Sequence, residues 1–142
     1  MTHLEDQLMR HEGMRLHPYR CPSGALTIGV GRNLDANGIS RDEAMMMMQN
    51  DICRAKRDVE SLIDCHGVKK WMLCYARFDV LVNMAFNIGG RSLGGFLRMW
   101  AALAAEDYET AADEMLDSQW AREVGHRAVE LAKQMKTGEY RK

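Results

Sequence analysis

The spacing of apolar residues changes at Ser40, and this change most constrains the fold. Beyond it, apolar residues recur every three or four positions over about five turns, which predicts a long amphipathic helix. A capping box starts the helix, because the Ser40 hydroxyl can accept from the backbone three residues on while Glu43 reaches back. We expect the methionines of this stripe to pack in the core rather than line a binding groove. The stripe consists of Met45, Met48, Ile52, Ala55, Val59 and Leu62.

The segment before Ser40, from about residue 13 to 39, differs in its composition and in the spacing of its apolar residues. It is rich in glycine, and Leu26, Ile28 and Val30 alternate with smaller residues, which is the period of a half-buried strand. We therefore expect a hairpin or small sheet here. Turn sequences lie on both sides of the strand, at residues 22–24 and 37–38.

Apolar stripes predict several further helices. The N-terminal one runs over about residues 2–12 and stops at Gly13, and another carries a stripe from Trp71 and Cys74 that stops near residues 87–90. The fold class is therefore α+β and mostly helical. We expect a single domain over residues 1–142, with a helical lobe over about residues 40–142. The other predicted helices cover residues 96–104, 108–116 and 124–135.

Composition narrows the classes of function. The 142 residues carry 19 basic and 20 acidic side chains, a formal net charge of −1, which argues against a nucleic-acid binder that neutralises phosphates. The first six residues lack a basic region followed by an apolar stretch, so we expect no signal peptide. The apolar run at 44–48 is too short for stable membrane insertion, and so is the longer run at 99–105.

The cysteines and histidines do not show the spacing of a metal site. The four cysteines form no C-x-x-C pair, and we expect them to be reduced and mostly buried, without a metal or other cofactor. They are Cys21, Cys53, Cys65 and Cys74.

Glu12 is the first candidate for chemistry. It lies at the predicted end of the N-terminal helix, close in sequence to Leu8, Met9 and Leu16. An apolar pocket there would favour the protonated form that a general acid needs. The alternative is a solvated surface glutamate.

The residues that follow Glu12 carry a family resemblance. The spacing of Glu12, Cys21 and Thr27, with Thr-Ile-Gly-Val-Gly at 27–31, resembles the phage-type lysozymes (endolysins) related to the lysozyme of T-even phages. Later segments resemble landmarks of the same family in the same order, and together they span nearly the whole chain. These segments are residues 38–44, 83–89, 95–96, 118–120 and 125–128.

The resemblance implies a lysozyme-like fold, in which a small β lobe and a helical lobe face each other across a cleft that cleaves peptidoglycan. It implies that Glu12 is the general acid, that Cys21 holds the second catalytic position, where the best-known relatives have aspartate, and that Thr27 helps place the attacking water.

The resemblance also implies residues around this triad. Arg127 matches an arginine near the acid and could pair with Glu12, while Trp120 matches a tryptophan packed close by. Asn87 lies where some relatives carry glutamine in the cleft. Arg32 replaces a histidine of the family pattern and is a candidate for supporting the site.

No aspartate or glutamate lies between Glu12 and Asp35, so the second catalytic role falls to Cys21 and Thr27. Arg20 is close in sequence and, with Arg32, could favour a Cys21 thiolate. We expect an inverting hydrolysis of the β-1,4 bond between N-acetylmuramic acid and N-acetylglucosamine, in which water attacks the sugar.

Four alternatives remain open at this point. They are a covalent sugar–Cys21 intermediate, a lytic transglycosylase that needs only one acid, a cysteine peptidase acting on peptide stems with Cys21 as nucleophile, and an inactive peptidoglycan-binding protein.

The resemblance further implies partners and location. The partner is the glycan strand of peptidoglycan, with no nucleic acid involved. We expect a monomer that stays in the host cytoplasm until a holin-type pore opens and then acts in the periplasm on the cell wall.

Overall fold

The computed structural model describes residues 1–142, which divide into two compact units, Met1–Met47 and Met48–Lys142. Eight α-helices, one 3-10 helix and one three-stranded antiparallel sheet confirm the α+β, mostly helical fold class. The single catalytic domain expected over the whole chain stays a prediction.

The first unit opens with helix α1 (His3–Glu12). Thr2 caps it, since the Thr2 hydroxyl accepts from the Glu5 N–H at 3.1 Å and the Glu5 carboxylate accepts from the Thr2 N–H. Gly13 ends the helix with a φ of 76°, a conformation that glycine adopts without a Cβ penalty. This agrees with the predicted helix at about 2–12.

The predicted small sheet follows. Its strands are β1 (Arg15–Arg20), β2 (Leu26–Gly29) and β3 (Arg32–Asn33), in the order β1-β2-β3. Tyr19 pairs with Thr27, and the short helix α2 (Leu34–Asn37), which the sequence analysis missed, follows β3.

The buried position of β2 is not the one that the apolar alternation indicated. Thr27 is only 4% exposed, whereas Leu26 and Ile28 are half-buried and Val30 is exposed. Thr27 tolerates burial because its hydroxyl donates a hydrogen bond to the Ala25 carbonyl at 2.9 Å. The first unit buries no large apolar side chain, so a local hydrogen bond decides which residue points inward.

Helix α3 (Arg41–Cys65) confirms the long amphipathic helix and its cap. The Ser40 N–H donates to Glu43 at 2.8 Å, and the Glu43 N–H donates to the Ser40 hydroxyl at 3.1 Å. The prediction that the first methionines of the stripe pack in the core is wrong, however. Met45 and its neighbours are exposed, Met46 by 68%, because these turns belong to the first unit, which has no apolar core to receive them. The buried residues of α3 are Ala55, Val59 and Ile63.

The remaining helices lie in the second unit. A 3-10 helix (Lys70–Met72) precedes α4 (Tyr75–Gly94), so Trp71 and Cys74 lie outside the helix that was predicted to contain them, and both are exposed. Helix α4 breaks at Gly89 (φ 83°, ψ 159°), within the segment where its end was predicted.

The helices at 96–104 and 108–116 are confirmed by α5 (Leu97–Ala104) and α6 (Tyr108–Leu116). The helix predicted at 124–135 is confirmed by α8 (His126–Thr137), and the short helix before it, α7 (Gln119–Val124), was not predicted. Gly125, with a φ of 59°, separates them.

The apolar core of the described chain lies in the second unit. Its largest fully buried side chains are Trp100, Leu81, Met84, Leu93, Met99, Leu103, Met115, Met135, Val59 and Val80.

All four cysteines are free, and the expectation that most of them are buried is wrong. Cys53, Cys65 and Cys74 are exposed and Cys21 is half-buried. No helix combines the length and apolarity that spanning a membrane requires.

Candidate functional site

Glu12 is the last residue of α1, which places its side chain beside the sheet. The expected apolar pocket does not form from its sequence neighbours, because Glu12 is exposed, Leu8 is exposed and Leu16 is 77% exposed. Instead the carboxylate lies against the backbone of Gly31, so closely that a Cβ added there would stand 2.6 Å from Glu12 Oε2.

Cys21 lies in a tight turn between β1 and β2. The Cys21 N–H donates to the Ala25 carbonyl at 3.0 Å, and the Gly24 N–H donates to the Cys21 carbonyl at 2.8 Å. The chain therefore folds back at the predicted turn, and the Cys21 Sγ comes to lie 2.9 Å from the Ser23 Oγ.

Hydrogen bonds lower the pKa of the Cys21 thiol. The Ser23 hydroxyl is the largest influence that lowers the pKa of Cys21, from an ordinary 9.0 to about 7. Burial opposes this, while hydrogen bonds from the Ala25 and Ser23 backbone and from the Thr27 hydroxyl lower the pKa further. Cys21 and Thr27 are thus brought together at one end of the hairpin.

The two arginines expected to favour the thiolate contact carboxylates instead. Arg20 contacts Asp35 at 3.7 Å, and Arg32 binds Glu43. The shift of the Cys21 pKa arises from hydrogen bonds rather than from these cations.

Arg32 connects the end of the sheet to the start of α3. Its guanidinium donates to both Glu43 carboxylate oxygens, at 3.0 and 2.9 Å, and to the Gly38 carbonyl at 3.0 Å. These bonds, followed by those from Ser40, lower the pKa of Glu43 to about 2. Arg32 therefore fixes the loop that leads into α3.

In the second unit, Asn87 and Trp120 are brought together. Trp120 is buried, as expected of a core residue, and its Nε1–H donates to Asn87 Oδ1 at 2.8 Å, while Phe96 packs edge-on at 6.3 Å between ring centroids. Because Oδ1 is occupied, the exposed Asn87 amide has its NH2 group available for another partner.

Arg127 is held by a residue that the sequence analysis missed. Its Nε and Nη2 donate to Asn83 Oδ1 at 3.0 and 2.7 Å. Asn83 lies one turn before Asn87 on α4, and its spacing from Arg127 in the sequence gave no signal of this contact. The pairing of Arg127 with Glu12 stays a prediction.

The whole chain resembles known phage proteins. Residues 9–137 match the family model for phage lysozyme. The chain belongs to the phage lysozyme family.

Two relatives are 28% identical to this chain. They are the pre-baseplate central spike protein Gp5 of Enterobacteria phage T4, over 95% of this chain and 28% of the relative, and the endolysin of Acyrthosiphon pisum secondary endosymbiont phage 1, over 58% of this chain and 54% of the relative. The chain thus spans less than two thirds of the length of either relative.

The hydrogen-bonded Cys21 thiol predicts a pH dependence of cysteine alkylation that can be measured. Because only the thiolate is alkylated, the reaction of Cys21 with iodoacetamide should rise with pH and reach half its maximum near pH 7, the value to which the Cys21 pKa is lowered. Ser23→Ala should move this midpoint upward, toward 9.0, because it removes the largest cause of the lowered pKa. Peptide mapping by mass spectrometry isolates Cys21 from the other cysteines.

Ser92→Ala, an exposed serine of α4, is the matched control and should leave the Cys21 profile unchanged. A midpoint that Ser23→Ala and Ser92→Ala affect equally would contradict the assignment of the hydrogen bond as the cause.

Proposed function

We propose that the chain is the catalytic part of a lysozyme that hydrolyses the β-1,4 bond between N-acetylmuramic acid and N-acetylglucosamine in peptidoglycan. Membership of the phage lysozyme family supports a glycoside hydrolase. The observation that carries the proposal is that one unit holds an acid at the end of α1, a thiol at the turn between β1 and β2 and a hydroxyl on β2.

In the proposed reaction, Glu12 donates its proton to the bridging oxygen as the bond to the anomeric carbon breaks. Water attacks that carbon from the opposite face, held by Thr27 and Cys21, and its proton passes to the Cys21 thiolate. Glu12 ends as a carboxylate and Cys21 as a thiol, and proton exchange with solvent restores both. The anomeric configuration inverts, as expected when water rather than an enzyme group attacks.

The lowered pKa of Cys21 supports this role for a chain without a second carboxylate nearby. At a pKa of about 7, roughly half of the thiol is ionised at neutral pH, whereas an unperturbed thiol is mostly protonated. Cys21 can therefore accept the proton from water under ordinary conditions, which is the task of the general base.

Asn87 is proposed to bind an acetamido group of the sugar. The Asn87 NH2 group, oriented by the bond from Trp120 to Asn87 Oδ1, can donate to an acceptor such as the acetamido carbonyl of an N-acetyl sugar. Arg127 and Arg32 are proposed as supporting residues, held by Asn83 and Glu43. The enzyme is proposed to act as a monomer on glycan strands, without a metal or other cofactor.

The products released from purified sacculi test this function. We expect the first soluble fragments to carry the mass of one added water and the inverted α-anomer. A retained β-anomer would instead indicate the covalent sugar–Cys21 intermediate, and fragments without added water would indicate a lytic transglycosylase. Release of free amino groups would indicate a peptidase, and no release an inactive binding protein.

Two biological roles are proposed for the chain. As an endolysin, like the phage 1 relative, the chain would wait in the host cytoplasm for a holin-type pore. The match of 95% of the chain to a protein named as a central spike favours a second setting, as a wall-cleaving part of the phage particle. Mass spectrometry of purified particles distinguishes them, because an endolysin would be absent from the particle.

A further inference from the structure

We propose that Gly31 is a positioning residue for Glu12, and that its missing side chain creates the space in which the carboxylate of the acid lies. This inference rests on the proposed role of Glu12 as the general acid. It concerns the contact that fixes the acid in place. Neither the family match nor the names of the relatives identify that contact.

The contact between the two residues is unusually close. A Cβ built on Gly31 would lie 2.6 Å from Glu12 Oε2, 2.8 Å from Cδ and 3.0 Å from Cγ. Three consecutive atoms of the acid thus cover the position that a side chain would occupy. Since ordinary van der Waals contact begins near 3.4 Å, any L-residue here would force the carboxylate to move by nearly 1 Å.

Within the first unit, polar contacts do not hold the Glu12 carboxylate in position. Of the arginines in the hairpin, Arg15 lies over the Tyr19 ring, Arg20 contacts Asp35 and Arg32 binds Glu43. No hydrogen bond or ion pair from the first unit holds the Glu12 carboxylate, and α1 has no buried residue that would anchor its last turn. Packing against Gly31 is therefore the contact that fixes the acid relative to the sheet.

Gly29 provides a matched comparison. Gly29 and Gly31 have nearly the same positive φ, 68° and 67°, a value at which alanine is strained. A Cβ on Gly29 meets nothing within 4 Å, however. The difference between Gly29→Ala and Gly31→Ala consequently isolates the contact with Glu12 from the strain of the backbone.

The experiment measures kcat and KM for soluble peptidoglycan fragments, together with stability by urea unfolding, for both alanine variants. We expect Gly31→Ala to lower kcat by on the order of 10²-fold with little change in KM, because a shift of about 1 Å misplaces the proton donor. Gly29→Ala should lose similar stability but keep most of its kcat. Equal kcat values for the two folded variants would overturn the inference.

If Gly31→Ala does not fold, the double variant Gly31→Ala/Glu12→Ala tests the same contact. Removing the Glu12 side chain removes the clash, so the double variant should regain the stability of Gly29→Ala. Failure to regain it would place the defect in the backbone and contradict the inference.

The proposed function is tested separately in the same assay. If the unsubstituted chain releases no fragments, or if Glu12→Gln remains fully active, the assignment of the acid is wrong. If the chain is active, Glu12→Gln is inactive and the two glycine variants behave alike, only the role of Gly31 is wrong.

Discussion

Replacing Glu12 with Gln should lower the release of soluble fragments from purified sacculi by at least about 10²-fold. Glutamine keeps the size and much of the shape of the side chain but has no proton to give to the leaving oxygen. A positioned general acid contributes about 10²–10⁴-fold to the rate, so the barrier should rise by at least about 3 kcal/mol. The initial rate of fragment release, measured at equal protein concentration, gives this ratio directly.

Glu5→Gln is the matched control, because it makes the same change of charge in the same helix. Glu5 belongs to the capping box of α1, where glutamine also serves, so α1 should remain capped. We therefore expect Glu5→Gln to release fragments nearly as fast as the unsubstituted chain. Comparable losses in the two variants would show that the charge of α1, rather than proton donation by Glu12, sets the rate.

Local sequence signals predicted the ends of several helices well. Gly13 ends α1, and Ser40 with Glu43 forms the capping box before α3, because caps depend on residues only three or four positions apart. Boundaries that depend on such short-range contacts can be predicted from the chain alone.

Periodicity alone predicted burial less well. It showed that Met45 shares a helix face with Val59, but not that only the later part of that face meets an apolar layer. The prediction for Trp71 was wrong for a related reason, since Trp71 lies in the 3-10 helix that precedes the helix whose stripe it was assigned to. Which residues share a face is a local property, whereas what covers the face depends on the rest of the fold.

At the candidate site, too, short-range contacts could be predicted from the sequence and long-range contacts could not. The Cys21–Ser23 bond spans two residues inside a predicted turn, and a serine at that spacing was the signal that could have revealed it. The contact between Arg127 and Asn83 joins positions 44 residues apart, and that between Glu12 and Gly31 depends on the packing of α1 beside the sheet. Such contacts require the folded chain.

The burial of Trp100 gives the second large prediction, a loss of stability. Trp100 is 1% exposed, its Nε1–H donates to the Leu93 carbonyl at 3.0 Å, and its ring stacks on His66 with centroids 4.9 Å apart. Trp100→Ala should lower the free energy of unfolding by about 3–5 kcal/mol, because it leaves a cavity in the core of the second unit. Urea unfolding monitored by circular dichroism measures this loss.

Two further variants separate burial from the presence of an indole ring. Trp71→Ala removes a tryptophan that is 73% exposed in the same unit, so its free energy of unfolding should change by no more than about 0.5 kcal/mol. Trp100→Phe keeps an aromatic ring in the core and removes only the indole donor to the Leu93 carbonyl, which still accepts from the Phe96 N–H at 3.2 Å, so the cost should be about 0.5–1.5 kcal/mol. The losses should therefore increase in the order Trp71→Ala, Trp100→Phe, Trp100→Ala. Equal losses from the two alanine variants would contradict the burial on which this order depends, since a solvated ring leaves no cavity when it is removed.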